Sequence, residues 1–248
     1  MKKIVAYFLK SIGYSLVKKD AVPGDFGDDI KNIICQVRPF TMTSPDRLNA
    51  LCLAAKYISA NRIEGDIVEC GVWRGGSMLA VTHVLNAMND RSRTLWMYDT
   101  FEGMSIPTEH DHDILGVSAR EMLRKEKKSA DSDIWCYASL QDVQENMKKS
   151  DYPAQRIRFI QGKVEETLKK FVPEKIALLR LDTDWYESTR VEMEVLFPRL
   201  SRGGVLIIDD YGHWQGARKA IDDYLATHDI KILLNRIDYT GRIAVKAF

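Results

Sequence analysis

Two pairs of aspartates are prominent in the chain because each pair follows an apolar run. Asp182 and Asp184 follow the first run, and Asp209 and Asp210 follow the second. Apolar runs of this length between helical patterns are typical of buried parallel strands. The carboxyl ends of such strands form the ligand crevice of an open α/β sheet. We therefore expect the four carboxylates to lie together and to hold a divalent cation, to act as a base, or to do both.

The residue types suit Mg²⁺, which prefers oxygen ligands and keeps some of its waters. Asp182, Asp209 and Asp210 would supply three carboxylates, and two vicinal hydroxyls of a sugar or a catechol would chelate the ion. Chelation lowers the pKa of a hydroxyl group. Asp184 is the first candidate for the base that removes its proton, and His213 is the rival. The alternative is that some of these acids cap the helices that follow.

A glycine-rich turn between a strand and a helix predicts a second ligand site. The strand covers 65–70, the turn GVWRGGS covers 71–77, and a helical run follows over 78–88. The start of that helix favours a polar or anionic group, but the spacing differs from the dinucleotide fingerprint GxGxxG. Glu69 at the strand end would repel a pyrophosphate and would suit an ammonium group. This favours S-adenosylmethionine (SAM) over a nicotinamide dinucleotide.

The second predicted strand, 94–99, also ends in an acid. Asp99 would accept the ribose hydroxyls of a nucleoside, as acids at this position commonly do. Phe101 in the following turn would stack on the adenine. The alternative is that Asp99 caps the next element and Phe101 belongs to the core. A third predicted strand ends at Gln161 and brings this residue, with Gly162, to the same edge of the sheet.

Residues 1–44 are predicted to be an extension that helps to cover the cofactor. The first 19 residues have apolar side chains at helical spacing, and Lys10 interrupts the apolar run that a signal peptide needs. A helix packed on the domain or on a partner subunit is the main interpretation, and attachment to a membrane surface is the alternative. Residues 20–46 are expected to be irregular because prolines and glycines interrupt them.

Residues 45–248 are predicted to form the main domain. Within it, residues 104–150 are polar and poorly periodic, which is typical of a lid or a binding loop. The run EHDHD at 109–113 has metal-binding residue types without the spacing of a dedicated site, so substrate contact is the preferred interpretation. Strands at 230–234 and 242–245 are expected to close the sheet as an antiparallel hairpin.

The composition excludes several classes of protein. The chain has 248 residues, of which 45% are hydrophobic, enough for a packed core. A formal net charge of +1 gives no electrostatic reason to expect nucleic acid as a partner. The four cysteines form no CxxC pair and no zinc spacing, which favours reduced thiols in a cytoplasmic protein. No apolar run approaches the length of a transmembrane helix.

With these features the chain resembles the macrocin and mycinamicin O-methyltransferase family, which includes the novobiocin-pathway sugar methyltransferase. The motifs that carry the resemblance are PFTMTSPDR (39–47), GDIVECGVWRGGSM (65–78), YDTFEGM (98–104), RLDTDWYEST (180–189) and GGVLIIDDYG (203–212). The resemblance implies an α/β fold of the Class I SAM-dependent methyltransferase type. This fold is Rossmann-like, with a seven-stranded, mostly parallel sheet and an antiparallel C-terminal hairpin. The resemblance also implies a required Mg²⁺ and methylation of a sugar hydroxyl in the biosynthesis of a natural product or polysaccharide.

Position by position, the resemblance makes Asp182, Asp209 and Asp210 the metal ligands and Asp184 the base, with Asp182 also bordering the cofactor. It places SAM contacts at Thr41, Met42, Glu69, Gly71, Ser77, Asp99 and Gln161. Members commonly form dimers or tetramers, so a homo-oligomer is expected. Two alternatives are an O-methyltransferase for a catechol or another phenol, and a SAM-binding protein without activity. The catechol enzymes use a lysine base that is not apparent here, and the intact acids argue against an inactive protein.

Overall fold

The computed structural model describes residues 21–129, 132 and 134–248. The helix predicted within the first 19 residues lies outside the described residues. In the part of the chain that the structure describes, no helix is long and apolar enough to cross a membrane.

A seven-stranded sheet is the centre of the described structure. Its strands are β1 (Asp66–Cys70), β2 (Leu95–Asp99), β3 (Ile157–Gln161), β4 (Ile176–Leu181), β5 (Leu200–Ile208), β6 (Asn235–Arg236) and β7 (Arg242–Val245). Their order is β3-β2-β1-β4-β5-β7-β6. β1 to β5 are parallel, and β7 is antiparallel to both β5 and β6. The predicted mostly parallel sheet with an antiparallel C-terminal hairpin is therefore confirmed.

Helices cover both faces of this sheet. Those in the described residues are α1 (Asp28–Val37), α2 (Pro45–Ala60), α3 (Gly76–Ala87), α4 (Ala119–Lys125), α5 (Leu140–Met147), α6 (Val164–Thr167), α7 (Tyr186–Val195) and α8 (Gln215–Thr227). α1, α2, α3 and α5 contribute to one apolar cluster, and α6, α7 and α8 contribute to a second. Adjacent residues of β1 divide between the two: Ile67 belongs to the first cluster and Val68 to the second. This is the alternation expected of a strand buried on both faces.

The structure corrects two predictions about secondary structure. Residues 28–37 form α1 rather than an irregular segment, because Ile30, Ile34 and Val37 share one helical face and are buried against the core. Residues 230–234 are not a strand, and the two-residue strand β6 is the strand that forms the C-terminal hairpin with β7. The alternating apolar residues at 230–234 pack partly against the second cluster without forming ladder hydrogen bonds.

The segment 104–150 contains α4 and α5, and its first part packs on loops that follow β4 and β5. The contact is a third apolar cluster in which Leu123 of α4 lies with Trp185 and Trp214. The loops that carry the four aspartates are thus covered by this insertion. The division of the chain at residue 45 into an extension and a main domain stays a prediction.

Candidate active site

The carboxyl ends of the central strands open into one large cavity. Its walls come from the segment 41–43, the glycine turn after β1, the ends of β2, β4 and β5, and residues of the insertion 104–150. Among the described residues, six acidic and three basic side chains line this cavity. They are Asp99, Glu165, Asp182, Asp184, Asp209 and Asp210, with Arg47, Lys163 and Arg180. This excess of acids favours a cationic ligand.

Three of the four predicted aspartates come together in this cavity. Carboxylate oxygens of Asp182, Asp184 and Asp210 lie within 4.8 Å of one another. The parallel pairing of β4 with β5 continues to Leu181 and Ile208, so the next residue of each strand leaves the sheet at the same level. Asp184 has a left-handed backbone, with φ of 67°, which turns the chain back towards the cavity. The run at 109–113 forms no such group in the described part of the chain.

Asp209 differs from the predicted metal set because two arginines hold its carboxylate. Arg180 approaches it at 2.7 Å, and Arg47 also forms an ion pair with it. Burial alone would raise the pKa of Asp209, but the two guanidinium groups outweigh it and lower the pKa. The group of oxygens that could share an ion therefore contains Asp184 where the sequence predicted Asp209.

The remaining aspartates have the opposite electrostatic environment. Burial raises the pKa of Asp184 to about 7, and the charges of Asp182 and Asp209 act in the same direction. Burial likewise raises the pKa of Asp210 well above its ordinary value, with the neighbouring charge of Asp184 adding to the effect. Burial also raises the pKa of Asp182, although Arg180 opposes the shift. A bound cation stabilises the ionised form of a buried carboxyl group of this kind.

The predicted cofactor residues divide into those that line the cavity and those that do not. Lining residues are Thr41, Met42, Gly71, Ser77, Asp99, Gly162 and Asp182. Glu69, Phe101 and Gln161 are outside its lining. The segment 41–43 is thus part of the cavity wall, and its role in covering the cofactor stays a prediction.

Glu69 does not present its carboxylate to the cavity. It is fully buried, and its Oε1 lies 2.5 Å from a guanidinium nitrogen of Arg180. Burial raises the pKa of Glu69 to about 7, against the opposing charge of Arg180. Arg180 thus pairs with Oε1 of Glu69, and a contact between Glu69 and an ammonium group of the ligand stays a prediction.

Phe101 and Gln161 are also outside the lining of the cavity. Phe101 is only 3% exposed and contacts the ring of Phe159 edge-on at 6.4 Å between centroids. It belongs to the first apolar cluster, which is the alternative that the sequence left open. Gln161 ends the outer strand β3, where it pairs with Asp99 at the predicted edge of the sheet. Its side chain is exposed, and its contact with SAM stays a prediction.

Asp99 lines the cavity and also fixes the shape of the glycine turn. One of its oxygens accepts hydrogen bonds from the backbone N–H groups of Val72 and Trp73, at 2.7 and 3.0 Å. The other accepts from the N–H of Phe101 at 2.8 Å. Burial raises the pKa of Asp99, and these backbone hydrogen bonds oppose the shift. Asp99 thus joins the ends of β1 and β2 into one rim.

The glycines of the turn are required by contacts within the chain. Gly71 has φ of 83°, and a Cβ there would lie 1.9 Å from the carbonyl oxygen of Asp182. A Cβ on Gly76 would lie 2.5 Å from the carbonyl oxygen of Phe40, just before the covering segment. These glycines let the turn pack against the loop after β4, which carries Asp182, and against the backbone of Phe40.

His213 lies outside the lining of the cavity. Its Nδ1 is 2.6 Å from the hydroxyl of Tyr239, and its ring packs edge-on against Trp214. Burial lowers the pKa of His213. Of the two predicted bases, only Asp184 is in the cavity wall, so the geometry favours Asp184.

Sequence reasoning did not identify Arg47, Arg180 and Thr43 as part of the site. Arg180 is fully buried, and besides Asp209 and Glu69 it contacts Asp182 at 2.8 Å. It also donates to the hydroxyl of Thr43 at 3.0 Å, which links the segment 41–43 to the acids. The available signal was an arginine within the apolar strand LLRL, where a charge needs buried partners.

Comparison with known proteins agrees with this architecture. The sequence model of the family described as Macrocin-O-methyltransferase (TylF) matches residues 17–245. The chain belongs to this family. It is 36% identical over 201 residues to 8-demethyl-8-(2,3-dimethoxy-alpha-L-rhamnosyl)-tetracenomycin-C 4'-O-methyltransferase of Streptomyces olivaceus, covering 81% of this chain and 73% of that protein. It is 33% identical to mycinamicin III 3''-O-methyltransferase of Micromonospora griseorubida, covering 81% and 76%.

Solved structures place the chain in the same fold. The structure of the O-methyltransferase NovP matches with a TM-score of 0.74 and 31% identity, covering 84% of this chain and 83% of that one. A calicheamicin methyltransferase, CalS11, matches at a TM-score of 0.61 and 16% identity, covering 88% and 91%, and at that identity shows the fold alone. The macrocin O-methyltransferase family member described here therefore has the Class I fold and is a SAM-dependent O-methyltransferase.

Proposed function

We propose that the enzyme transfers the methyl group of SAM to a hydroxyl group of a sugar on a natural product or saccharide, with Mg²⁺ at the acid cluster. The observation that carries this proposal is the group Asp182, Asp184 and Asp210 in the wall of the cavity that the glycine turn also lines. The names of the relatives support the acceptor class. They describe methylation of rhamnosyl-tetracenomycin, of a novobiocin precursor and of mycinamicin.

The donor set of the acid cluster fits a hard divalent cation. Carboxylate oxygens within 4.8 Å of one another are the ligand type that Mg²⁺ prefers. The pKa values of Asp184 and Asp210 are raised first by burial and then by the neighbouring carboxylate charges. Asp182 and Asp210 are common to the predicted set and the structural group, so we assign them to the ion. When bound there, Mg²⁺ would orient the acceptor hydroxyl and lower its pKa.

We assign the proton transfer to Asp184. Its carboxylate adjoins Asp182 and Asp210, and a base with a pKa near the working pH is effective. The acceptor hydroxyl gives its proton to Asp184, its oxygen forms the new bond to the methyl carbon, and the bond from that carbon to sulfur breaks. S-adenosylhomocysteine leaves as the neutral sulfide. The cavity walls would have to bring the acceptor oxygen and the methyl carbon into line for this transfer.

The test is methyl transfer from labelled SAM to a panel of acceptors by the purified full chain. L-rhamnosides and TDP-L-rhamnose represent sugars, and 3,4-dihydroxybenzoate represents catechols. We expect turnover with a sugar, loss of turnover in excess EDTA, and recovery when Mg²⁺ is restored. Full turnover in EDTA would overturn the metal role. Transfer to the catechol with none to any sugar would overturn the acceptor class.

Two variants separate the roles of the acids. Asp184→Asn is expected to lower kcat by a factor of about 100 or more while S-adenosylhomocysteine still binds, because a carboxamide cannot accept the proton. Asp209→Asn is the comparison, because Asp209 is held by Arg180 and Arg47. A Mn²⁺ affinity that falls in Asp209→Asn and not in Asp184→Asn would return Asp209 to the metal set, as the sequence predicted.

A further inference from the structure

The insertion contacts the chain directly after each pair of aspartates. Trp185 follows Asp184, and Trp214 follows the second pair by four residues; their rings meet edge-on at 4.9 Å between centroids. Ala119 and Leu123 of the insertion complete this buried cluster. The indole N–H of Trp185 also donates to the backbone carbonyl of Ser105 at 3.1 Å. The two acid-bearing loops are therefore packed against a shared support.

Asp111 is the polar centre of this support, and it is completely buried. Its Oδ1 accepts a hydrogen bond from the backbone N–H of Tyr186 at 2.7 Å. Its Oδ2 accepts from the N–H and the hydroxyl of Thr108, at 2.6 and 2.8 Å. Tyr186 is the first residue of α7, where backbone N–H groups have no partner inside the helix. A buried carboxylate is well suited to cap this end, both as an acceptor and by its charge.

The same carboxylate lies against the start of α8. A Cβ on Gly216 would lie 2.0 Å from Oδ1 of Asp111 and 3.1 Å from the N of Tyr186. The backbone N–H of Gln215, the first residue of α8, donates to the carbonyl of His112 at 2.9 Å. The carboxylate of Asp111 thus lies between the first turn of α7 and the first turn of α8, the helices that follow the two aspartate pairs.

We propose that Asp111 is a positioning residue that sets the distance between the two acid-bearing loops, and so the geometry of the acid cluster. This proposal rests on the proposed function. Asp184 lies two residues before Tyr186, whose backbone N–H donates to Asp111. The backbone of Asp184 is left-handed, so the direction of its carboxylate depends on how the residues that follow it are held. The insertion then supports the reacting groups and is more than a cover over the acceptor.

Asp113 provides a matched control in the same insertion. It is also a buried aspartate, 8% exposed, but its carboxylate accepts from the N–H groups of Leu115 and Val117 in its own loop. Asp113→Ala therefore removes a buried carboxylate and loop hydrogen bonds without touching Tyr186. Asp111→Asn keeps one acceptor oxygen and is the conservative variant.

The experiment measures three quantities in the full chain: the Mn²⁺ dissociation constant by electron paramagnetic resonance, the S-adenosylhomocysteine dissociation constant by calorimetry, and kcat with an acceptor that the wild type methylates. Asp111→Ala is expected to weaken Mn²⁺ binding about 10-fold and to lower kcat by about 10- to 100-fold. Its S-adenosylhomocysteine affinity should stay within about twofold of the wild type, because Asp111 is outside the cofactor wall. Asp111→Asn should give values between those of Asp111→Ala and the wild type. Asp113→Ala should keep the Mn²⁺ affinity of the wild type, because its carboxylate accepts from N–H groups of its own loop.

A double variant distinguishes positioning from a general loss of structure. In an Asp184→Asn background, Asp111→Ala should lower kcat by less than about threefold, because the group that it aims is already disabled. Equal losses with and without Asp184, or an unaffected Asp111→Ala, would overturn the positioning role. If Asp111→Ala does not fold, Thr108→Val removes one donor to Oδ2, and an unchanged Mn²⁺ affinity and kcat in that variant would overturn it too. A wild type that neither binds Mn²⁺ nor transfers methyl would instead overturn the proposed function.

Discussion

Glu192 on α7 is a carboxyl group buried without access to solvent, and replacing it by glutamine is expected to stabilise the fold. Burial raises its pKa from 4.5 to about 8. Its Oε1 accepts a hydrogen bond from the hydroxyl of Thr183 at 2.9 Å, between the first pair of aspartates. Glutamine keeps the shape and this acceptor oxygen but cannot ionise. Glu192→Gln therefore removes the cost of keeping a buried carboxyl protonated.

The sign and size of the effect follow from the two pKa values. In the unfolded chain Glu192 ionises near 4.5, and in the folded protein it keeps its proton to about pH 8. The folded state thus binds more protons in that window, and its stability falls as the pH rises from 4.5 to 8. At about 1.4 kcal/mol per pKa unit, the cost at pH 7 is about 3 kcal/mol. Glu192→Gln should recover about 3 kcal/mol at pH 7 and almost nothing at pH 4.5.

Urea unfolding monitored by circular dichroism at pH 4.5 and pH 7 measures this difference. Glu194→Gln is the control, because Glu194 is half-exposed on the same helix and pairs with Arg190. It should change the free energy of unfolding by less than about 1 kcal/mol at either pH. The reasoning fails if Glu192→Gln is less stable than the wild type at pH 7, or if its gain is the same at both pH values.

Three further substitutions test the placement of single residues. Gly71→Ala should lower the free energy of unfolding by at least about 2 kcal/mol in urea titrations, since its Cβ would meet the carbonyl of Asp182; wild-type stability would contradict this close contact. Phe101→Ala should cost about 3–5 kcal/mol of stability as a core residue. The folded variant should still bind S-adenosylhomocysteine by calorimetry with wild-type affinity, and a selective loss of that affinity would restore the adenine-stacking role. His213→Ala should keep kcat within about threefold of the wild type, and a loss as large as that of Asp184→Asn would identify His213 as the base.

The sequence was sufficient for the elements whose signals are local. β1, β2, β4 and β5 are short, mainly apolar runs with acidic residues at or next to their carboxyl ends, and parallel strands bring such ends to one edge. Strand ends alone therefore bring five aspartates to one edge of the sheet, and the structure shows that all five line one cavity: Asp99, Asp182, Asp184, Asp209 and Asp210. The start of α2 also has a local signal, since Ser44 caps the helix and Pro45 follows it.

Partners distant in the chain were outside the reach of that reasoning. Strand ends showed that acids converge, but they gave no information on which acids an internal cation would neutralise. Arg180 lies two residues before Asp182, yet its contacts with Glu69 and Asp209 depend on the pairing of three strands. For the same reason the sequence does not distinguish an aromatic residue after β2 that faces a ligand from one that, like Phe101, packs in the core.

The sequence by itself determined the fold class, the cavity edge and the residue types that reach it, because periodicity and strand ends are properties of neighbouring residues. Only the tertiary structure decided that arginines hold Asp209, that Glu69 is an internal ion-pair partner, and that Asp111 joins the insertion to the acid-bearing loops. These outcomes depend on groups that are distant in the chain: Arg47 and Asp209 are 162 positions apart, Glu69 and Arg180 are 111 apart, and Asp111 and Tyr186 are 75 apart. Burial makes those pairings strong, and only the assembled fold specifies them.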